Sequence, residues 1–158
     1  LIPDCVRAWS KGKTVFIRNP KSTRPWQHVL EAVWGYIFFS AKLNFISNLN
    51  GQAFNFGPNT SKNFKVIDVI KVIKKYWSHI KYIVQNKKQK KFHESSLLKL
   101  NCKKAKKNLK WKTVLSFEET IKMTAFWYKN FYKNKKKIRE ISIDQINQYD
   151  VVFKRRIK

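Results

Sequence analysis

Apolar residues recur along this chain at two spacings, and those spacings divide it into helices and strands. Ile2, Val6 and Trp9 share one side of a helical wheel, so residues 3 to 10 are predicted as a helix. Pro3 suits its first turn and Gly12 supplies its stop. "TVFIR", residues 14 to 18, is β-branched and aromatic and predicts a strand. Pro20 and Pro25 bound a loop, "NPKSTRP". "WQHV" reads as a short extended piece leading into a helix from about Leu30 to Ile46. The buried stripe of that helix is expected to be Val33, Ile37, Ala41 and Leu43 or Phe45, widened by Phe38 and Phe39.

Beyond the turn "SNLNGQ", the apolar run "AFNF" predicts a short strand that stops at Gly57-Pro58. Residues 66 to 77 are predicted helical, with Val66, Ile67, Val69, Ile70, Ile73 and Trp77 along one broad side. "IKYIV" predicts a third strand, and the lysine run Lys87–Lys91 a solvated loop. Asn101 can cap a helix over residues 102 to 109. Ser116 and Glu119 have the spacing of a capping box, ahead of a helix carrying Phe117, Ile121, Ala125, Tyr128 and Tyr132. Residues 133 to 137 read as a charged linker, and Ser142-Ile-Asp-Gln145 as the start of one last short helix. Strands alternating with helices give an α/β class. Three strands are too few for a complete doubly wound sheet.

Composition narrows this picture. At 43% hydrophobic and 15% aromatic, 158 residues can build one core. The chain opens on Leu1 rather than Met, and a piece of a longer chain is the expectation. No run approaches the roughly 20 apolar residues of a membrane span. Cys5 and Cys102 form no C-x-x-C, and two unpaired thiols suit a reducing cytoplasm. Lys and Arg number 35 against 9 Asp and Glu, a balance that invites a nucleic-acid reading. The excess is mostly lysine, scattered over every exposed face, whereas base and phosphate recognition favours the planar fork of arginine. The balance therefore predicts nonspecific attraction to polyanions, with no specific nucleic acid as partner.

Several chemistries are excluded by what is missing. Gly12, Gly35, Gly51 and Gly57 cannot make a G-x-G-x-x-G or a P-loop. His28, His79 and His93 lie too far apart for a metal-ligand spacing. No G-x-S-x-G nucleophile elbow exists. Tyr132 and Lys136 fit Y-x-x-x-K, but a tail this rich in lysine produces that spacing by chance. No self-contained catalytic constellation remains. Arg24 is the one cation placed with care. Pro25 restricts its backbone to the extended region, and Trp26 and Val29 can anchor the residues behind it.

"LIPDCVRAWSKGKTVFIRNPKSTRPWQHVLEAVWGY" resembles the C-terminal half of the CDP-glucose 4,6-dehydratases, which are extended short-chain dehydrogenases/reductases. "AFNFGP" and "HESSLLKLNCKKAKKNLKWKTVLSFEETIKMTAFWY" resemble the same family in the same order, and "ISIDQINQY" does so less specifically. The R-x-W-x-x-V frame is shared among nucleotide-sugar dehydratases and epimerases. "RNPKSTRPWQHVLE" and "HESSLLKLN" point to the CDP-glucose members. Asn101 stands where the family usually has Asp, a nearly neutral exchange at a helix cap.

The resemblance implies a Rossmann-like sheet remainder with a small substrate-binding subdomain over residues 1–132, followed by a Lys-rich linker and short helix over 133–158. It implies a cytoplasmic, homo-oligomeric lyase that turns CDP-glucose into CDP-4-keto-6-deoxyglucose with NAD. The cofactor would be held mainly by an N-terminal half bearing the glycine-rich loop and the Tyr/Lys pair. This segment would contribute substrate-binding residues (Arg24, Asn55, His93, Glu94 and Arg18), no catalytic ones, and would be inactive alone. Arg24 takes the diphosphate, because a guanidinium fork bonds phosphate oxygens in pairs. Two alternatives stay open, namely another nucleotide-sugar dehydratase or epimerase and a Lys-rich nucleic-acid-binding module.

Overall fold

The computed structural model describes residues 1–59, 62–85 and 97–157. The fold is mixed α/β and mostly helical, with one small parallel sheet. Helix α1 spans Ile2–Trp9 and buries Cys5, Val6 and Trp9. Gly12 then turns the chain at φ +67°, a left-handed conformation that glycine adopts without a steric cost. Strand β1, Val15–Ile17, pairs in parallel with β2, Tyr82–Val84, in the register Val15↔Tyr82, Phe16↔Ile83 and Ile17↔Val84. The indole Nε1 of Trp9 donates to the Lys81 carbonyl at 2.9 Å and ties α1 to the start of β2.

Helix α2 spans Val29–Leu43, α3 Val66–Tyr76, α4 Phe117–Lys133 and α5 Ile138–Arg156. One core joins α1, Ile17 of β1, α3 and α4 through Val6, Trp9, Val69, Ile70, Ile73, Ile121 and Ala125. A second core gathers Leu49, Phe56, Ala105, Leu109 and Trp111 beneath Trp34, Phe38 and Phe39 of α2. The predicted capping box is present: Glu119 N–H donates to Ser116 Oγ at 3.2 Å, and Ser116 N–H to Glu119 Oε2 at 2.7 Å. Asn101 caps as expected, accepting from Lys103 N–H at 3.1 Å. The turns it opens are of the wider π type over Ala105–Leu109 and end at Lys110, whose φ is 59°.

Three expectations are corrected. "AFNF" is extended but pairs with no strand, so the described residues hold two strands rather than three. The tail is not one short helix: α5 runs 19 residues, and Ser142 lies inside it, bonded to the Ile138 carbonyl. The largest correction concerns α2. Its expected stripe faces outward, with Val33 42% and Ile37 57% exposed, and Phe45 beyond its end 85% exposed. Inward lie Glu31, Trp34, Gly35, Phe38 and Phe39. The rings decide the orientation. Trp34 meets Phe153 edge-on at 4.6 Å, and Phe39 meets Phe54 at 5.0 Å. Aromatic side chains bury more area than the Val/Ile stripe could. A Cβ on Gly35 would lie 2.6 Å from Phe56 Cγ, so only glycine admits that ring against the helix.

Candidate functional site

The loop from Asn19 to His28 is pinned at both ends. Val66 N–H donates to the Ser22 carbonyl at 2.8 Å and Ile67 N–H to that of Pro20 at 3.0 Å, which seats the loop on the start of α3. Thr23 forms bridges with Lys65 and with Leu97. Trp26 Nε1 donates to the Phe64 carbonyl at 3.0 Å. At the far end His28 Nδ1 accepts from Leu30 N–H at 3.3 Å and caps α2. His28 is buried, and burial pushes its pKa down to about 4. Arg24 is held between these anchors, and its Nη1 donates to the Thr23 carbonyl at 2.8 Å.

Arg24 lines a cavity of about 320 Å³ together with Lys62 and Lys99. The apolar wall holds Trp26 and the rings of Phe64 and Phe117, stacked at 3.7 Å with planes 3° apart. Leu98, Lys99 and Leu100 line one stretch of it, and Thr113, Leu115, Ser116 and Phe117 another. Beside Arg24, Thr23 Oγ1 and Gln27 Nε2 are buried and have no partner among the described residues. Burying such groups unpaired costs about 1–3 kcal/mol each, so polar atoms of this kind collect where a ligand or water completes the site. A second cavity, about 430 Å³ between α1, α4 and α5, has no lysine or arginine among its described lining residues. Three cations on one cavity, with aromatic faces beside them, suit an anion joined to a planar or ring-shaped group.

Glu31 is the acidic member of this wall and is 1% exposed. Its Oε1 accepts from Val114 N–H at 2.8 Å and Leu115 N–H at 2.6 Å; its Oε2 accepts from Tyr149 O–H at 3.2 Å. Burial pushes its pKa up, against the two backbone donors, Tyr149 and the nearby Arg156, all of which favour the carboxylate. Burial, and then Glu31, hold the Tyr149 hydroxyl protonated well above the phenol range. The Arg156 fork grips Glu119 with two bonds of 2.8 Å and also reaches the Val114 carbonyl. That fork holds the Glu119 carboxyl down to about 2.

Of the five candidates read from sequence, Arg24 alone is placed on this cavity. Arg18 is exposed at the end of β1. Asn55 is exposed and lines no part of the cavity; its Nδ2 donates to the Asn101 carbonyl at 3.4 Å, joining two extended segments. The strand end on which its role was argued is absent. His93 and Glu94 lie outside the described residues, although Leu98, Lys99 and Leu100 just beyond them wall the cavity. Lys62 and Lys99 were not singled out, because in a chain of 35 basic residues no lysine stands out. Glu31 left a signal: it is one of 9 acids and sits inside an apolar run. Cys5 and Cys102 are buried free thiols, and burial raises Cys5 to about 11. Among the described residues no group of His, Cys, Asp or Glu could hold a metal, and no helix is long and apolar enough to cross a membrane.

The fold and cavity define a mixed α/β chain with a cationic, aromatic-walled cleft. No family model matches the chain. Over 148 residues it is 32% identical to CDP-glucose 4,6-dehydratase of Salmonella typhimurium, a match covering 90% of this chain and 40% of that protein. The chain thus spans less than half the length of the curated relative it matches.

Proposed function

We propose that this chain is the nucleotide-sugar-binding portion of a nucleotide-sugar dehydratase, and that its substrate is CDP-glucose. The observation that carries the reading is the convergence of Arg24, Lys62 and Lys99 on one cavity floored by aromatic rings. The similarity to a protein named for CDP-glucose supports it. In this reading the diphosphate lies against the guanidinium of Arg24, with the two lysines neutralising its remaining charge. Trp26 and the stacked Phe64–Phe117 pair receive the flat or ring-shaped parts of the ligand. Gln27 lines the cavity, and its buried Nε2 is the polar atom a bound ligand would newly satisfy.

The complete protein would convert CDP-glucose to CDP-4-keto-6-deoxyglucose, with NAD supplying hydride removal and return. The described residues do not fit that cofactor. By sequence no glycine lies between Ile17 and the start of α2 or between Val84 and Leu97, so the glycine-rich turn that cradles a pyrophosphate is missing after either strand. This chain's share is to bind and orient the nucleotide sugar.

Calorimetric titration of the 158-residue chain with CDP-glucose, and with the dTDP, UDP and GDP sugars, tests the proposal. Saturable binding that prefers CDP-glucose and falls only modestly as salt rises is expected. Equal, steeply salt-dependent affinity for every nucleotide sugar and for a DNA oligonucleotide would instead mark charge-driven attraction to polyanions.

A further inference from the structure

The wall of the Arg24 cavity formed by residues 113 to 117 is held from behind, and the holding group is a buried acid. Glu31 stands in the first turn of α2, 83 residues from Val114 in sequence, and its Oε1 takes both the Val114 and Leu115 N–H groups. Its Oε2 takes the Tyr149 hydroxyl of α5. Two further contacts press α5 onto the same place: Arg156 reaches the Val114 carbonyl, and Phe153 packs edge-on against Trp34 of α2. A carboxylate that is 1% exposed and bonded to three donors on two other segments has one geometry available to it. Moving α5 would move Glu31, and moving Glu31 would release two backbone amides of the cavity wall.

We propose that Glu31 is a positioning residue through which the C-terminal helix fixes the wall at residues 113 to 117 and so sets the shape of the ligand cavity. The clamp itself stands on the contacts of Glu31. Its consequence for affinity rests on the nucleotide-sugar reading above. Glu31 also lines the cavity, but both of its oxygens are already taken by Val114, Leu115 and Tyr149, so the role proposed for it runs through the backbone it holds.

Hydrogen–deuterium exchange of the whole 158-residue chain, read by mass spectrometry on peptides spanning 112 to 118, tests the clamp without any ligand. Tyr149→Phe removes one hydroxyl from α5 and leaves the wall sequence intact. It should speed exchange in that peptide roughly tenfold, while peptides from α3 keep the parent rate. Glu31→Ala should speed it further. Glu31→Gln still offers one oxygen to the two amides and should stay within about threefold of the parent. If Tyr149→Phe exchanges at the parent rate in the wall, or if α3 loosens equally, the inference is overturned. Should Glu31→Ala fail to fold, the Tyr149→Phe and Glu31→Gln pair still decides. CDP-glucose titration then separates the two readings. A parent chain that does not bind defeats the nucleotide-sugar reading and leaves the exchange result to decide the clamp. A parent that binds, with Tyr149→Phe binding equally well despite a loosened wall, overturns the control of cavity shape.

Discussion

Arg24 was legible because its neighbours restrict it. Pro25 biases its backbone, Trp26 is fixed to the Phe64 carbonyl, and the loop is seated on α3, so the guanidinium has few places to go. Arg24→Lys keeps the charge and loses the fork. If the proposed function holds, binding of CDP-glucose should weaken by roughly 1.5–3 kcal/mol, the scale of a charged hydrogen bond, with the melting temperature nearly unchanged. Titration of the variant beside its parent checks this, and equal affinity would mean that the arginine holds no phosphate. His28 predicts a pH dependence. Its pKa falls from 6.5 to about 4 on folding because burial disfavours the imidazolium. Above about pH 6.5 both folded and unfolded chains hold it neutral, and its contribution is complete. As pH falls toward 4 the unfolded chain binds a proton that the folded chain refuses, so stability is lost, on the order of 3 kcal/mol in all. Denaturant melts of the parent and of His28→Asn between pH 4 and 7 should differ in slope, the variant being flatter. Parallel slopes would show that this imidazole does not couple to folding.

At the scale of elements, periodicity found the helices but not always their orientation. Helix α3 faces the way its pattern predicts, because Lys71, Lys74 and Lys75 mark its wet side against Val66, Val69, Ile70 and Ile73. Helix α2 has one basic residue, Lys42, and one acid, Glu31, in 15 residues, so both of its sides read as apolar. The choice fell to ring packing with Phe54, Phe56 and Phe153, which come from distant segments. Gly35 is the sequence mark of that choice, and it has a testable consequence. Gly35→Ala improves local helix propensity but sets a methyl group inside contact distance of Phe56. Overpacking should win, with a net loss of about 1–3 kcal/mol in a denaturant melt. A more stable variant would mean that Phe56 moves aside freely. The extent of α5 was missed for a related reason. Its buried residues, Gln145 and Tyr149, are polar and bond across to the Met123 carbonyl and to Glu31.

At the scale of the whole molecule, many large apolar side chains are exposed among the described residues. Parallel strands are ordinarily covered on both faces, yet Phe16 and Ile83 of the two-stranded sheet are 58% and 51% exposed. Val29 and Tyr36 add 65% and 63% exposure on the outward side of α2. Surfaces of this kind associate, while a net charge of +26 opposes association. Salt screens the repulsion and leaves the apolar attraction in place. Sedimentation of the 158-residue chain should therefore show association that rises with concentration and with salt, and that Phe16→Ser combined with Ile37→Ser reduces. A monodisperse monomer at high concentration and high salt would mean that these faces are inert.

The sequence by itself determined what depends on a single turn of chain. The capping box at Ser116 and Glu119, the Asn101 cap, the stop at Gly12, the strands at 15–17 and 82–84 and the backbone restriction of Arg24 by Pro25 all follow from residues within a few positions of one another. Tertiary structure alone decided the inward face of α2, the failure of "AFNF" to pair among the described residues, the presence of Lys62 and Lys99 on the cavity that Arg24 lines, and the bonds of Glu31 to Val114, Leu115 and Tyr149. Local signals are energies of neighbouring dihedrals and single hydrogen bonds, so they are written in adjacent letters. A cavity wall joined by bonds between residues 83 and 118 positions apart depends on which distant surfaces bury the most area together, and no short window of sequence contains that sum.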